Sequence, residues 1–154
     1  MAWGIGPGDA VFTTPFTYVA TAEVIALLGA TPVFVDVYDS TFNIDCEKLE
    51  IAIQETIKNG QLKPKAIIPV DLFGVPARYR LIDIIAKKYN LKVIEDGAQS
   101  FGASIGEKKV GTFGDVAATS FYPAKPLGCY GDGGAIFTNN DSLADKCKAI
   151  RIHG

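Results

Sequence analysis

Lys92-Val93-Ile94-Glu95-Asp96-Gly97-Ala98-Gln99-Ser100-Phe101-Gly102 is a short, largely apolar run that passes at Asp96 into a polar loop bearing two glycines. Its first four residues read as a buried strand and the remainder as the loop beyond the strand's carboxyl end. Upstream, Pro76 precedes an amphipathic segment through Ile82, Ile85 and Ala86 that ends near Tyr89-Asn90, the signature of a helix. Before that helix, residues 65–70 form a second β-branched run. Strand, helix and strand in this order predict an α/β protein with a largely parallel sheet and helices on both faces, a three-layer α/β/α arrangement.

The same alternation extends in both directions. Further strands are predicted at 11–14, 32–37, 116–121 and 135–138. A helix is predicted over 18–28, with apolar residues at 19, 24, 25, 27 and 28 and a stop at Gly29. Asp45 is placed to cap a helix over 46–59 with Gly60 behind it, and Asn140 or Asp141 to open a last helix through Ile150. Residues 102–115 are polar and Gly-rich enough for a hairpin or an excursion from the core.

Composition narrows the class of protein. The 154 residues are 48% hydrophobic and 21% charged, which suits one globular domain with a real core. A net charge of −2 without a basic stripe argues against nucleic acid as a partner. No apolar stretch approaches the ~20 residues of a membrane span, and the start lacks the pattern of a secretory signal, so the expectation is a cytoplasmic protein. Cys46, Cys129 and Cys147 match neither a metal knuckle nor a disulfide framework and read as packing residues. Gly4 to Asp9 reads as a turn already entering a strand, and the chain stops at His153-Gly154 directly after a helix-like segment. Neither end reads as a natural terminus, so a fragment is expected.

Ligands of open α/β sheets bind beyond the carboxyl ends of the strands, where loops and helix N-termini converge. Two such loops stand out: 96–102, and Ser120-Phe121-Tyr122-Pro123-Ala124-Lys125-Pro126-Leu127-Gly128. Lys125 sits among prolines and glycines that forbid a helix and allow backbone to approach a ligand closely. A solvated loop lysine is the plain alternative. A desolvated lysine is a good carbonyl-capturing nucleophile, and a Schiff base with pyridoxal phosphate is a common use of it. That cofactor also needs an acid beside its pyridine nitrogen, because the protonated ring acts as the electron sink. Asp96 is placed for this, although an Asx-turn would also explain it.

Three runs carry a family resemblance: Thr14-Pro15-Phe16-Thr17-Tyr18-Val19-Ala20-Thr21-Ala22, the run from Val93 to Ala103, and the run from Thr119 to Ala135. Together they resemble the DegT/DnrJ/EryC1/StrS aminotransferases, fold-type-I pyridoxal-phosphate enzymes that act on nucleotide-linked keto-sugars. The resemblance implies that Lys125 is the Schiff-base lysine and proton shuttle, Asp96 the pyridine-nitrogen partner, and Gln99 the neighbour of the ring's phenolic oxygen. It implies that Tyr18 stacks on the cofactor and that Ser120 contacts its phosphate. A core-packed Tyr18 and a simple strand-end hydrogen bond at Ser120 are the respective alternatives. His153, the only histidine, has no partner to orient it, and Asp71 and Arg151 read as ion-paired or solvated; none of the three is given a role.

The resemblance further implies a homodimer and a chain more than twice this length. A Gly-Thr phosphate turn would precede residue 4; a small domain, and an Asn reaching the partner subunit's phosphate pocket, would follow residue 154. Residues 1–154 are then one partial large, cofactor-binding domain. Pro126 to Gly134 most resembles the branch that aminates a UDP-linked 3-keto-hexuluronic acid for surface polysaccharides, with glutamate as amino donor. Sugar dehydratases of the same family are one alternative, but they resemble this chain with histidine in place of Lys125. A non-catalytic domain that kept the fold is another.

Overall fold

The computed structural model describes residues 1–152. Six strands form one sheet: β1 (Asp9–Thr13), β2 (Thr31–Phe34), β3 (Lys63–Ile68), β4 (Lys92–Asp96), β7 (Val116–Ser120) and β8 (Gly134–Phe137). A two-stranded antiparallel hairpin, β5 (Ser104–Ile105) and β6 (Lys108–Lys109), interrupts the series within the predicted excursion. The sheet order is β2-β1-β3-β4-β7-β8, parallel throughout except for the last pair. The four helices are α1 (Ala20–Leu27), α2 (Cys46–Asn59), α3 (Tyr79–Tyr89) and α4 (Asp141–Ile152). His153, given no role from the sequence, lies outside the described residues.

Alternation along the strands divides the apolar side chains between two faces. Ala10, Phe12, Ile67 and Val93 point to one face, where Leu49 and Ile53 of α2 and Tyr79, Ile82 and Ile85 of α3 close the larger core. There the rings of Tyr79 and Phe113 stack at 4.4 Å and 5°. Val11, Ala66 and Ile68 point to the other face and pack on Ile25 of α1. Strands apolar on both sides are what a parallel sheet between two helical layers requires. The second face is covered more thinly. Between α1 and α4 an apolar groove of about 520 Å³ runs over the sheet, lined by Trp3, Val11, Ile94, Val116, Ile136 and Cys147 among others.

Local chemistry explains most element ends. Asp45 Oδ1 accepts the backbone N–H groups of Glu47 and Lys48 at 2.9 and 3.3 Å, capping α2, and Gly60 ends it at φ +70°. The strand predicted over 32–37 stops at Phe34, because β2 is an edge strand whose one partner, β1, ends at the paired Thr13. The helix predicted from residue 18 begins at Ala20, which leaves Tyr18 in the preceding loop. Two further expectations are corrected. Cys129 is exposed rather than packed in the core, its Sγ lying 2.8 Å from the Gly131 carbonyl oxygen. Asp71 is neither ion-paired nor solvated but fully buried. No helix among the described residues is long and apolar enough to cross a membrane.

Candidate functional site

The parallel register brings the carboxyl ends of β3, β4 and β7 level with one another: Val70 bridges Asp96, and Asp96 pairs with Ala118, two residues before Ser120. With the entry to α1 they enclose an open cavity of about 920 Å³, within the range of small-molecule sites. Tyr18, Asp96, Gln99, Ser120 and Lys125 all line it. The five residues singled out in the sequence thus come together from three separate stretches of chain, two at strand ends and three in the loops beside them.

Asp96, half-buried at the end of β4, is held by both oxygens. Oδ2 accepts the Thr21 hydroxyl at 2.8 Å, and Oδ1 accepts the Ala98 N–H at 3.2 Å. The second bond is the Asx-turn of the plain reading, so the turn and the cavity-facing role coexist. Thr21 is buried on the first turn of α1, and its oxygen lies 2.9 Å from that of Thr17. Since the Thr21 proton goes to Asp96, Thr17 is the donor between the two hydroxyls.

Gln99 is oriented by an unambiguous partner. The Phe73 backbone N–H, which can only donate, lies 2.9 Å from the Gln99 carbonyl oxygen Oε1. The amide NH2 is therefore the end left for the cavity. Ser120 Oγ accepts the Tyr122 N–H at 3.2 Å, the strand-end bond expected as its alternative, and keeps its own proton to donate.

Lys125 is partly buried in a closed loop. Its N–H bonds the Tyr122 carbonyl at 2.8 Å, while Cys129 N–H to Phe121 O at 2.8 Å and Phe121 N–H to Gly133 O at 2.7 Å tie the loop ends. Gly128 is needed there, since a Cβ on it would overlap the Pro123 carbonyl. Lys125 Nζ stands 5.9 Å from the centre of the Tyr18 ring, near the limit of a cation–π contact. Tyr18 itself is 69% exposed, which rules out the core-packed alternative and leaves a ring face at the mouth of the cavity.

Two buried carboxyl groups lie behind this wall. Asp71 Oδ1 accepts the Ala77 N–H at 2.9 Å and the Tyr79 hydroxyl at 2.8 Å, and its Oδ2 accepts the Ser100 hydroxyl at 3.1 Å. Burial outweighs these donors and raises its pKa to about 6. Glu95 receives the N–H groups of Gly111 and Phe113 at 2.6 and 2.8 Å, and burial raises it to about 7. Sequence reading assigned nothing to Thr21 or Asp71. Thr17 precedes α1, so helical spacing gave no signal for its pairing with Thr21.

A helix-covered, mostly parallel sheet with a lysine, a carboxylate and an amide around a cavity at its strand ends defines an α/β domain with a small-molecule-sized site. The DegT/DnrJ/EryC1/StrS aminotransferase family model matches residues 1–154, and the chain belongs to that family. It is 56% identical over 154 residues to the UDP-2-acetamido-2-deoxy-3-oxo-D-glucuronate aminotransferase of Pseudomonas aeruginosa, covering 100% of this chain and 41% of that protein. A crystal structure of a DegT DnrJ EryC1 StrS aminotransferase from Brucella abortus superposes with a TM-score of 0.97 at 60% identity, over 98% of this chain and 40% of that one. A Bacillus subtilis structure with bound cofactor PMP superposes with a TM-score of 0.86 at 37% identity, over 99% of this chain and 33% of that one. The chain thus spans about two fifths of the length of the first two.

Proposed function

We propose that residues 1–154 are part of the large domain of a pyridoxal-phosphate-dependent aminotransferase and that Lys125 is its cofactor-linking lysine. The observation that carries this reading is the convergence of Lys125, the anchored carboxylate of Asp96 and the NH2-presenting Gln99 on one cavity.

The residues present fit the group. Asp96 offers a carboxylate to a protonated ring nitrogen, and the Thr21 hydroxyl and Ala98 N–H hold it in place. Gln99 offers an amide donor to the ring oxygen without a charge of its own. Tyr18 offers a flat face, and Ser120 a hydroxyl for the phosphate. When bound, the cofactor supplies an electron sink for the carbanion formed as the amino donor loses its Cα proton. Lys125 supplies the amine that links to the cofactor aldehyde and, once displaced by a substrate amine, the base that moves that proton.

The acceptor we infer is a nucleotide-linked keto-sugar, specifically a UDP-linked 3-keto-hexuluronic acid, with glutamate as donor. The identity to the Pseudomonas enzyme supports this. The setting is surface polysaccharide synthesis by a cytoplasmic homodimer. Lysine at position 125 disfavours the dehydratase alternative. The test is to incubate the full-length polypeptide with glutamate and the UDP-linked keto-sugar and to follow 2-oxoglutarate and the amino-sugar by mass spectrometry. Both products in equal amounts are expected. An amino-sugar absent while the cofactor is bound would refute the substrate; a deoxygenated sugar would select the dehydratase.

A further inference from the structure

Asn43 lies far from the cavity in sequence and does not touch it, yet it is 2% exposed and both ends of its amide are used. Its Oδ1 accepts the Leu72 N–H at 3.3 Å, and its Nδ2 donates to the Val75 carbonyl at 3.0 Å. The two bonds bracket a single 3-10 turn, Leu72–Gly74. Inside that turn Phe73 sits at φ +55° and ψ +22°, a left-handed conformation that a bulky residue adopts only when its surroundings impose it. Gly74 follows at φ +81°. This unusual backbone is what aims the Phe73 N–H at Gln99 Oε1.

Asp71 fastens the other side of the same junction. It holds Ala77 and Tyr79 after the turn, and through Ser100 it holds the loop that carries Gln99. Donor and acceptor are therefore both fixed. An amide that loses such a partner rotates freely and offers its carbonyl oxygen to the cavity as readily as its NH2.

We propose that Asn43 is a positioning residue: by bracketing the Leu72–Gly74 turn it holds the Phe73 N–H on the Gln99 carbonyl and so keeps the Gln99 NH2 directed at the ring oxygen of the cofactor. This rests on the cofactor reading above. The ring oxygen shares its negative charge with the proton on the link to Lys125. A donor drawing on that oxygen lets the proton leave at lower pH, and a lone pair in its place keeps the proton longer. Other charged groups lining the cavity are Asp96, Lys125 and Asp132, and none is altered by a change at position 43.

The experiment is a pH titration of the visible band of the cofactor-loaded full-length polypeptide, as wild type, Asn43→Ala, Gln99→Ala and the double variant. A hydrogen bond to a charged acceptor corresponds to about one pH unit. Asn43→Ala is expected to raise the midpoint by about that much, Gln99→Ala by as much or more, and the double variant no further than Gln99→Ala alone. A purely structural Asn43 would lower the melting temperature and leave the midpoint in place, and that result overturns the proposal. So does an additive shift in the double variant. Should Asn43→Ala not fold, Gly74→Ala strains the same turn at its positive φ. The same rise is expected, and an unmoved midpoint counts against the proposal. A wild type with no lysine-linked band would overturn the cofactor reading itself, and the proposal with it.

Discussion

Glu95 should make this fold lose stability as pH rises through the weakly acidic range. Its side chain is fully buried beneath the cavity wall, and its pKa is raised from the ordinary 4.5 to about 7 by that burial. Below about pH 4.5 the folded and unfolded chains both carry the proton, and the group is neutral with respect to stability. Between 4.5 and 7 the fold keeps a proton that the unfolded chain releases, so each added pH unit costs roughly 1.4 kcal/mol. Above 7 both forms are ionised and the full cost, about 3 kcal/mol, is in place. Glu95→Gln removes the titration. Its amide nitrogen faces one of the two backbone donors, Gly111 or Phe113, which adds a pH-independent penalty of about 1–3 kcal/mol. In urea unfolding at a series of pH values from 4.5 to 8, the stability of the wild type minus that of the variant is expected to fall by about 3 kcal/mol as pH rises. Subtraction cancels most of the contribution of Asp71. A difference that stays constant with pH would refute the assignment of a raised pKa to Glu95.

Thr21→Val keeps the shape of the side chain and removes the donor to Asp96, so cofactor affinity in the full-length polypeptide should weaken by roughly tenfold or more; an absorbance titration giving the wild-type Kd would contradict this. Asp45→Ala removes both cap bonds of α2 and should cost about 1 kcal/mol, measured as a lowered urea midpoint with an unchanged slope. The apolar groove between α1 and α4 should make the isolated 154-residue chain associate with itself. A clean monomer by light scattering across a concentration series would argue against that.

The fold was legible where local chemistry and tertiary position agree. Asp45 carries its cap role in its side chain and Gly60 in its lack of one, and both bounds of α2 follow. The length of β2 does not reside in its own residues: 35–37 have strand character, but β1 ends opposite Phe34, so they keep only the Val35 N–H bond to the Thr13 carbonyl and an isolated bridge from Val37 to Ile44. The cavity was legible because loops after parallel strands must converge, whatever their sequence, and the chemistry-bearing residues there fall in compact runs. What remained hidden is the support beneath them. Asp71 has the composition of a solvated loop carboxylate, and only the packing of Tyr79 and Ser100 around it shows otherwise. Asn43 and Phe73 act through a backbone turn whose left-handed residue is a phenylalanine, a type that gives no hint of positive φ.

The central claim is that Lys125 links the cofactor in this cavity. It is tested most directly by loading the full-length polypeptide with pyridoxal phosphate, reducing with borohydride and mapping the labelled peptide by mass spectrometry. Stoichiometric label on Lys125, lost in Lys125→Ala, is the expected result. A label at another lysine, or an adduct that persists in the alanine variant, would contradict it.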